Sequence, residues 1–272
     1  MATKFRAWDD YFIPGTTVLR NKFNERDPAA LSAKEEFAAS ARLDQLANEP
    51  VPAVFDYDHM KAIHRYVFQD VYEWAGEERV GPVGFMSKEG HSYYPGGPSL
   101  TAAAEAEYVK LASKDLLRGL DKGQFVDELA ERWGELNVIH SFREGNTRTQ
   151  FVFFSQFAEQ AGYRIDTGAF QVGSPLREEF VQARFHSQDT GSNTRLAAVL
   201  SKAIEPVQSG RAMPPPLSPE LGKIVDMNKR DYPTSATEIG RPAQMKAPEA
   251  RGYQPPAQLS AQGLGTDYGY GR

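Results

Sequence analysis

The chain reads as an all-α protein: one helical domain with a small β-hairpin flap, followed by a largely disordered C-terminal tail. Three observations lead to that reading. Apolar residues recur at three- and four-residue steps through most of the chain up to residue 205, only residues 80–96 look extended, and composition breaks near residue 209. With 272 residues, 40% hydrophobic and 11% aromatic, the chain can bury a core for one full domain, placed at 1–208.

Asp27 followed by Pro28 predicts the start of a first helix over "PAALSAKEEFAASARLDQLA", with Leu31, Ala38, Ala41 and Leu46 on one broad face and Phe37 and Leu43 off it. Asp56 starts a second, "YDHMKAIHRYVFQDVYEWAG". Its stripe Met60, Ile63, Val67, Val71 and Trp74 runs to Gly76, a natural stop. Residues 80–96, "VGPVGFMSKEGHSYYPG", place a glycine-containing turn, "SKEG", between two short apolar or aromatic arms, which predicts a hairpin. Further helices are expected at about 99–118, 123–140, 146–161, 175–188 and 193–205. Phe125, Leu129, Trp133, Leu136 and His140 form the core-facing stripe of one of these. The next, with Phe151, Val152, Phe153, Phe154, Phe157 and Ala161, is apolar enough to lie near the domain centre.

Beyond residue 209 lie nine of the 18 prolines, in text too poor in apolar residues to offset chain entropy. Residues 209–272 are therefore expected to be mostly disordered. One short helix near 218–230 is compatible with Ser218 as cap, Pro219 in the first turn and Leu221, Ile224 and Val225 on one face.

Composition also excludes. A formal charge of -5 gives no footprint for nucleic acid or an anionic membrane. The absence of cysteine removes disulfides, thiolate nucleophiles and Cys-ligated zinc. No apolar leader and no run of about 18 apolar residues occurs, so neither a membrane span nor export is expected. Cytoplasmic residence is the expectation, with delivery into another cell as the alternative. His59 and His64 are five apart, off a common helix face, which argues against zinc there. No G-x-x-x-x-G-K-(S/T) or G-x-G-x-x-G loop is present.

Between the two central helices stands a polar loop, "IHSFREGNTRTQF". Asn146 is suited to cap the helix that follows, whose first N–H groups make an anion site, and Arg148 adds a fork that can hold a phosphate at two points. Gly145 permits a backbone approach that a Cβ would block. Beside them are His140, able to accept a proton near neutrality, and Glu144, a hard oxygen ligand suited to Mg²⁺. Base, metal ligand and phosphate cradle within nine residues predict a transferase of phosphate-containing groups.

"HSFREGNTR" resembles the signature loop of the Fic family, H-x-F-x-(D/E)-G-N-G-R-x-x-R, matching at His140, Phe142, Glu144, Gly145, Asn146 and Arg148. Tyr11 to Leu31 and Met60 to Val80 are similar to the segments that precede the loop in stand-alone bacterial members, and the resemblance spans roughly residues 10–205. It implies that His140 is the general base and Glu144 the Mg²⁺ ligand. Gly145, Asn146, Thr147 and Arg148 then hold nucleotide phosphates, and Phe142 anchors the loop. The implied reaction is transfer of AMP from ATP to a Ser, Thr or Tyr hydroxyl of a target protein. The 80–96 hairpin occupies the place of the family's target-docking flap, with Lys88, His91 and Tyr93 as candidate docking residues. Residues 179–196 fall where relatives make adenine-side contacts.

Two positions depart from the pattern. Thr147 stands for a glycine and Phe151 for the second arginine. The departures open two alternatives: a Fic-like transferase that moves another phosphate-containing group, or a non-catalytic interaction module. Arg143 or Arg184 is a candidate source of the missing charge. Family self-inhibition uses an (S/T)-x-x-x-E-(G/N) helix whose glutamate meets the second arginine. The nearest matches, Ser32 to Glu36 and Thr234 to Glu238, fail at the last position, and Phe151 offers no partner. Self-inhibition of that kind is not expected, which leaves room for a separate small antitoxin.

Overall fold

The computed structural model describes residues 5–82, 86–88 and 90–207. The expected tail and its 218–230 helix lie outside the described residues. Within them seven α-helices follow in order: α1 Pro28–Asn48, α2 Tyr57–Phe68, α3 Pro98–Ser113, α4 Lys122–Ile139, α5 Asn146–Gln160, α6 Pro175–Thr190 and α7 Thr194–Ala203. Two antiparallel strand pairs complete them, β1 Ser87–Lys88 with β2 His91–Ser92, and β3 Tyr163–Ile165 with β4 Ile204–Pro206.

Local chemistry sets the helix starts. Asp27, Asp56 and Asp121 each accept a hydrogen bond from the backbone N–H three residues on, at 2.8–2.9 Å, and Pro28 fills the first position of α1. Ser174 accepts from the Leu176 N–H, two residues on, at 3.2 Å and Pro175 fills the first position of α6, which ends at Gly191 in the left-handed region.

Four expectations need correction. The helix α2 stops at Phe68 rather than Gly76: the N–H groups of Val71 and Tyr72 both turn back to the carbonyl of Phe68. Val71 and Trp74 are still buried, now from turns, so the stripe reported burial correctly and helix length incorrectly. On α1 Phe37 lies off the inner face as expected, 80% exposed, but Leu43 is only 1% exposed, and the inner face is Leu31, Ala39, Leu43 and Leu46. The last helix ends at Ala203, and Ile204–Pro206 pairs with Tyr163–Ile165. Pro206 biases Glu205 toward extended backbone, and the strand buries Ile204 completely. In the flap, Ser87 and Lys88, expected in the turn, instead pair as strand with Ser92 and His91.

The core is organised around α5, which is buried at every residue from Asn146 to Ala158. Trp133 of α4 stacks on Phe154 at 4.5 Å and meets Phe151 edge-on at 5.0 Å. Each such ring contributes roughly 1.5–3 kcal/mol of burial, which rigidly fixes the N-terminal end of α5. Helix α2 packs on both α1 and α5, and α6 on α4, α7 and β2. The loop between α4 and α5 is thus walled by α2 and α1 on one side and by α6 on another.

Candidate active site

Helix α4 ends in His140, which adopts a left-handed backbone (φ 51°, ψ 63°) unusual for a residue with a Cβ. Arg79 holds it there. Its Nε donates to the His140 carbonyl at 2.6 Å, and its Nη2 to the carbonyls of Tyr94 and Ile139 at 2.5 and 3.2 Å. A buried guanidinium therefore gathers the carbonyl end of α4 and the exit of the flap at one point. The His140 ring is buried and lies 4.2 Å from the ring of Tyr93.

The next turn is built by Phe142, Asn146 and Gly145. Asn146 does not cap α5 as expected. Gly145 is the residue before the helix, and the Asn146 amide bridges back across the loop. Its Oδ1 accepts from the Phe142 N–H at 2.9 Å and its Nδ2 donates to the Phe142 carbonyl at 2.7 Å. The side chain imitates a strand partner and closes the loop into a ring, leaving the first N–H groups of α5 to find acceptors outside the helix. Gly145 has φ of 80°, and a Cβ there would lie 2.2 Å from the Phe68 ring. Both dihedral and space demand glycine.

His64 of α2 underpins the loop, a role its sequence position does not announce. Its ring stacks on Phe142 at 3.9 Å, its Nδ1 accepts from the Gly76 N–H at 2.7 Å, and its Nε2 donates to the Glu144 carbonyl at 2.9 Å. One nitrogen accepts and one donates, so the ring is the neutral tautomer. Burial pushes its pKa down to about 3.

A charge cluster lies behind the loop. Arg148 is 1% exposed and pairs with Glu35 of α1, with Glu144 3.9 Å away and the Phe68 ring 4.5 Å from its guanidinium carbon. Tyr72 donates to the other oxygen of Glu35. Burial first, and then the Glu35 charge, pushes the Glu144 carboxyl up to about 8, while Arg148 and the Gly145 N–H pull the other way. The arginine expected to present a fork to a ligand is held by a glutamate one residue before the Glu36 of the sequence match. A glutamate–arginine contact between α1 and the loop therefore exists, on the first arginine rather than the second.

Phe151, in the second arginine's place, is wholly buried among Trp133, Phe170 and Phe180. Arg143 faces away, with its guanidinium over Trp8 at 4.3 Å. Arg184 of α6 faces the loop: Nη1 donates to the Thr147 hydroxyl at 3.3 Å, and Nε and Nη2 both donate to Asn137 Oδ1.

The flap lies over this site. Its neck is formed by Gly81 and Gly96, where a Cβ on Gly96 would come within 2.2 Å of the Gly81 nitrogen. Of the three candidate docking residues, Tyr93 reaches His140. His91 instead stacks on Phe185 at 4.0 Å and binds Asp189 at 2.6 Å, and Lys88 is placed by its backbone pairing with His91. Gln188 of α6 also donates to the Ser92 carbonyl at 2.5 Å, so α6 supports the flap edge.

Glu35, His64, Arg79 and Asn137 were not identified by sequence reasoning, because each acts through a partner far along the chain. Only the capping and periodicity of the helices that carry Glu35, His64 and Asn137 was visible, and Arg79 lies on no helix. A single carboxylate is the protein donor that Mg²⁺ takes when phosphates and water complete its shell, and Glu144 is the carboxylate of this loop; a cation beside it would favour the ionised form that burial and Glu35 disfavour. The described residues contain no cluster of three or more His, Asp or Glu that could hold a metal alone. A groove of about 550 Å³ between α4 and α7 is lined by Asp127, Glu128 and Glu131, a wall that repels phosphates.

A buried helix N-terminus, a histidine and a carboxylate thus meet on one loop under a β flap in a helical domain. The sequence matches the Fic/DOC family over residues 54–158. It is 37% identical over 198 residues to the probable protein adenylyltransferase y4lH of Sinorhizobium fredii, covering 72% of this chain and 96% of that protein. It is 35% identical over 191 residues to the protein adenylyltransferase VbhT of Bartonella schoenbuchensis, covering 70% of this chain but only 38% of VbhT. The fold superposes on BepC of Bartonella tribocorum, solved with bound AMPPNP, with a TM-score of 0.66 at 23% identity over 74% of this chain and 98% of that one. The chain belongs to the Fic/DOC family.

Proposed function

We propose that the chain is a nucleotidyltransferase, a protein adenylyltransferase that moves AMP from ATP to a Ser, Thr or Tyr hydroxyl of a target protein with Mg²⁺. The observation that carries this is the loop between α4 and α5, on which His140 and the start of α5 are held together by Asn146, His64 and Arg79. The names of the relatives and the AMPPNP bound in BepC support the same reading.

In this mechanism Gly145, Asn146 and Thr147 cradle the phosphates at the helix start, Arg148 reaches them on exchanging its Glu35 partner for a phosphate, and the dipole of α5 favours their charge. His140 takes the proton as the hydroxyl oxygen bonds to the α-phosphorus, and pyrophosphate leaves with the electron pair of the broken P–O bond. Glu144 would hold Mg²⁺, which when bound neutralises charge on the phosphate oxygens. Tyr93 covers the imidazole and limits its access to water, and the flap edge receives the target segment.

The test is purified protein with ATP labelled at the α-phosphate and a lysate of candidate targets. Label transferred by wild type and lost in His140→Ala supports the reading, and equal labelling by both contradicts it. A second reading, transfer of another phosphate-containing group, is favoured by one observation: Phe151 is locked in an aromatic cluster, so α5 offers no second guanidinium. The mass added to the target separates the two.

A further inference from the structure

We propose that Arg184 is a donor-phosphate contact, a guanidinium supplied from α6 to the phosphates at the start of α5. The inference rests on the transferase reading above and adds a residue to its site. Arg184 is 8% exposed, and its three hydrogen bonds engage three of five N–H donors, all with neutral partners, Asn137 and Thr147. Among the described residues no carboxylate lies within ion-pair distance of it. A charge removed from water is costly unless something of opposite sign meets it, so a buried guanidinium held by neutral groups calls for an anion.

The place where that anion would sit is set independently. Thr147 is the second residue of α5, and Asn137 lies one turn before His140 on α4. The guanidinium is thus clamped between the two helices that flank the loop, at the end of α5 where the dipole also favours negative charge. Both departures from the loop pattern then have one explanation. The Thr147 hydroxyl is the acceptor that aims Arg184. Phe151 packs at 5.3 Å on Phe180, over whose ring the Arg184 guanidinium lies at 5.5 Å, so the aromatic pair forms the floor on which a charge from α6 rests. The ligand class is the oligophosphate of a nucleotide, bound in the two-point manner a guanidinium allows.

Calorimetric titration of the full chain with ATP, inorganic tripolyphosphate and adenosine, each with Mg²⁺, tests this in wild type, Arg184→Gln and Arg184→Lys. The expected result is a loss of tenfold or more in affinity for ATP and tripolyphosphate in Arg184→Gln, a smaller loss in Arg184→Lys, and unchanged adenosine binding. If Arg184→Gln does not fold, the Lys variant must still weaken ATP and spare adenosine. Equal ATP affinity in wild type and variants overturns the inference and leaves the transferase reading intact. Parallel loss of ATP and adenosine also overturns it, since that is what a purely structural arginine gives. Wild type that binds tripolyphosphate as tightly as ATP, with the loss in Arg184→Gln, supports the arginine and removes the adenylyl donor. Wild type that binds neither removes both.

Discussion

The Nε2–H of His64 donates to the carbonyl of Glu144 at 2.9 Å, joining the middle of α2 to the loop between α4 and α5 across 80 residues of sequence. Because Nδ1 of the same ring accepts from Gly76, protonation would break one of these bonds and charge a fully enclosed ring. The loop is therefore built on an imidazole that must stay neutral.

A pH dependence of stability follows, with a definite sign. The folded pKa of His64 is lowered to about 3 from an ordinary 6.5. Between those values the unfolded chain binds a proton that the folded chain does not, so His64 contributes stability that is full above pH 6.5 and is lost as pH falls through 3. The slope from this group is about 1.4 kcal/mol per pH unit at most. Urea unfolding at several pH values should show a shallower slope for His64→Phe than for wild type across this window. Parallel slopes would mean that His64 is not held neutral. At neutral pH the same substitution should cost about 1–3 kcal/mol, by leaving the Gly76 N–H and Glu144 carbonyl unsatisfied.

Gly145→Ala should be among the most damaging single changes. The positive φ alone costs about 1–3 kcal/mol, and the new methyl collides with Phe68, which is itself completely buried. Thermal melting should show the loss, and ATP binding should fall with it. Phe68→Ala in the Gly145→Ala background should recover part of the ligand binding, because it relieves the collision while leaving the dihedral cost.

Glu35→Gln tests the charge cluster. Arg148 would keep Glu144 as an anionic neighbour, at 3.9 Å. Since Glu35 is partly open to solvent, the expected destabilisation is roughly 2–3 kcal/mol, below that of breaking a fully enclosed pair. Removing the Glu35 charge should also bring the Glu144 carboxyl down from about 8 toward the usual carboxylate range. A carbon-detected NMR titration of the Glu144 carboxyl reads this directly, and an unchanged midpoint would contradict the coupling.

Much of this site was legible in one dimension because its residues are local. His140, Phe142, Glu144, Gly145 and Arg148 lie on one loop and the first turn of the helix after it, and Asp27, Asp56 and Pro28 marked helix starts that the fold keeps. What stayed illegible depends on distance along the chain. Glu35 stands on a loosely patterned helix and His64 suggests at most an ill-spaced zinc pair with His59; their contacts to the loop exist only once α1 and α2 pack beside α5. Asn146 misled for a related reason. An asparagine before a helix usually caps it, but here the amide found a better pair of partners in the Phe142 backbone, which only the closed loop brings within reach. The strand pair β3–β4 was missed because three residues ending in proline carry too short a pattern to outweigh the helical period before them.

The central claim, that His140 makes this loop a transferase site, is tested most directly by intact-mass analysis of a target protein after incubation with ATP, Mg²⁺ and either wild type or His140→Ala. The account predicts one added AMP with wild type and none with the variant, while the two proteins bind ATP alike. An equal AMP adduct from both, or no adduct from wild type that binds ATP and target, would contradict it.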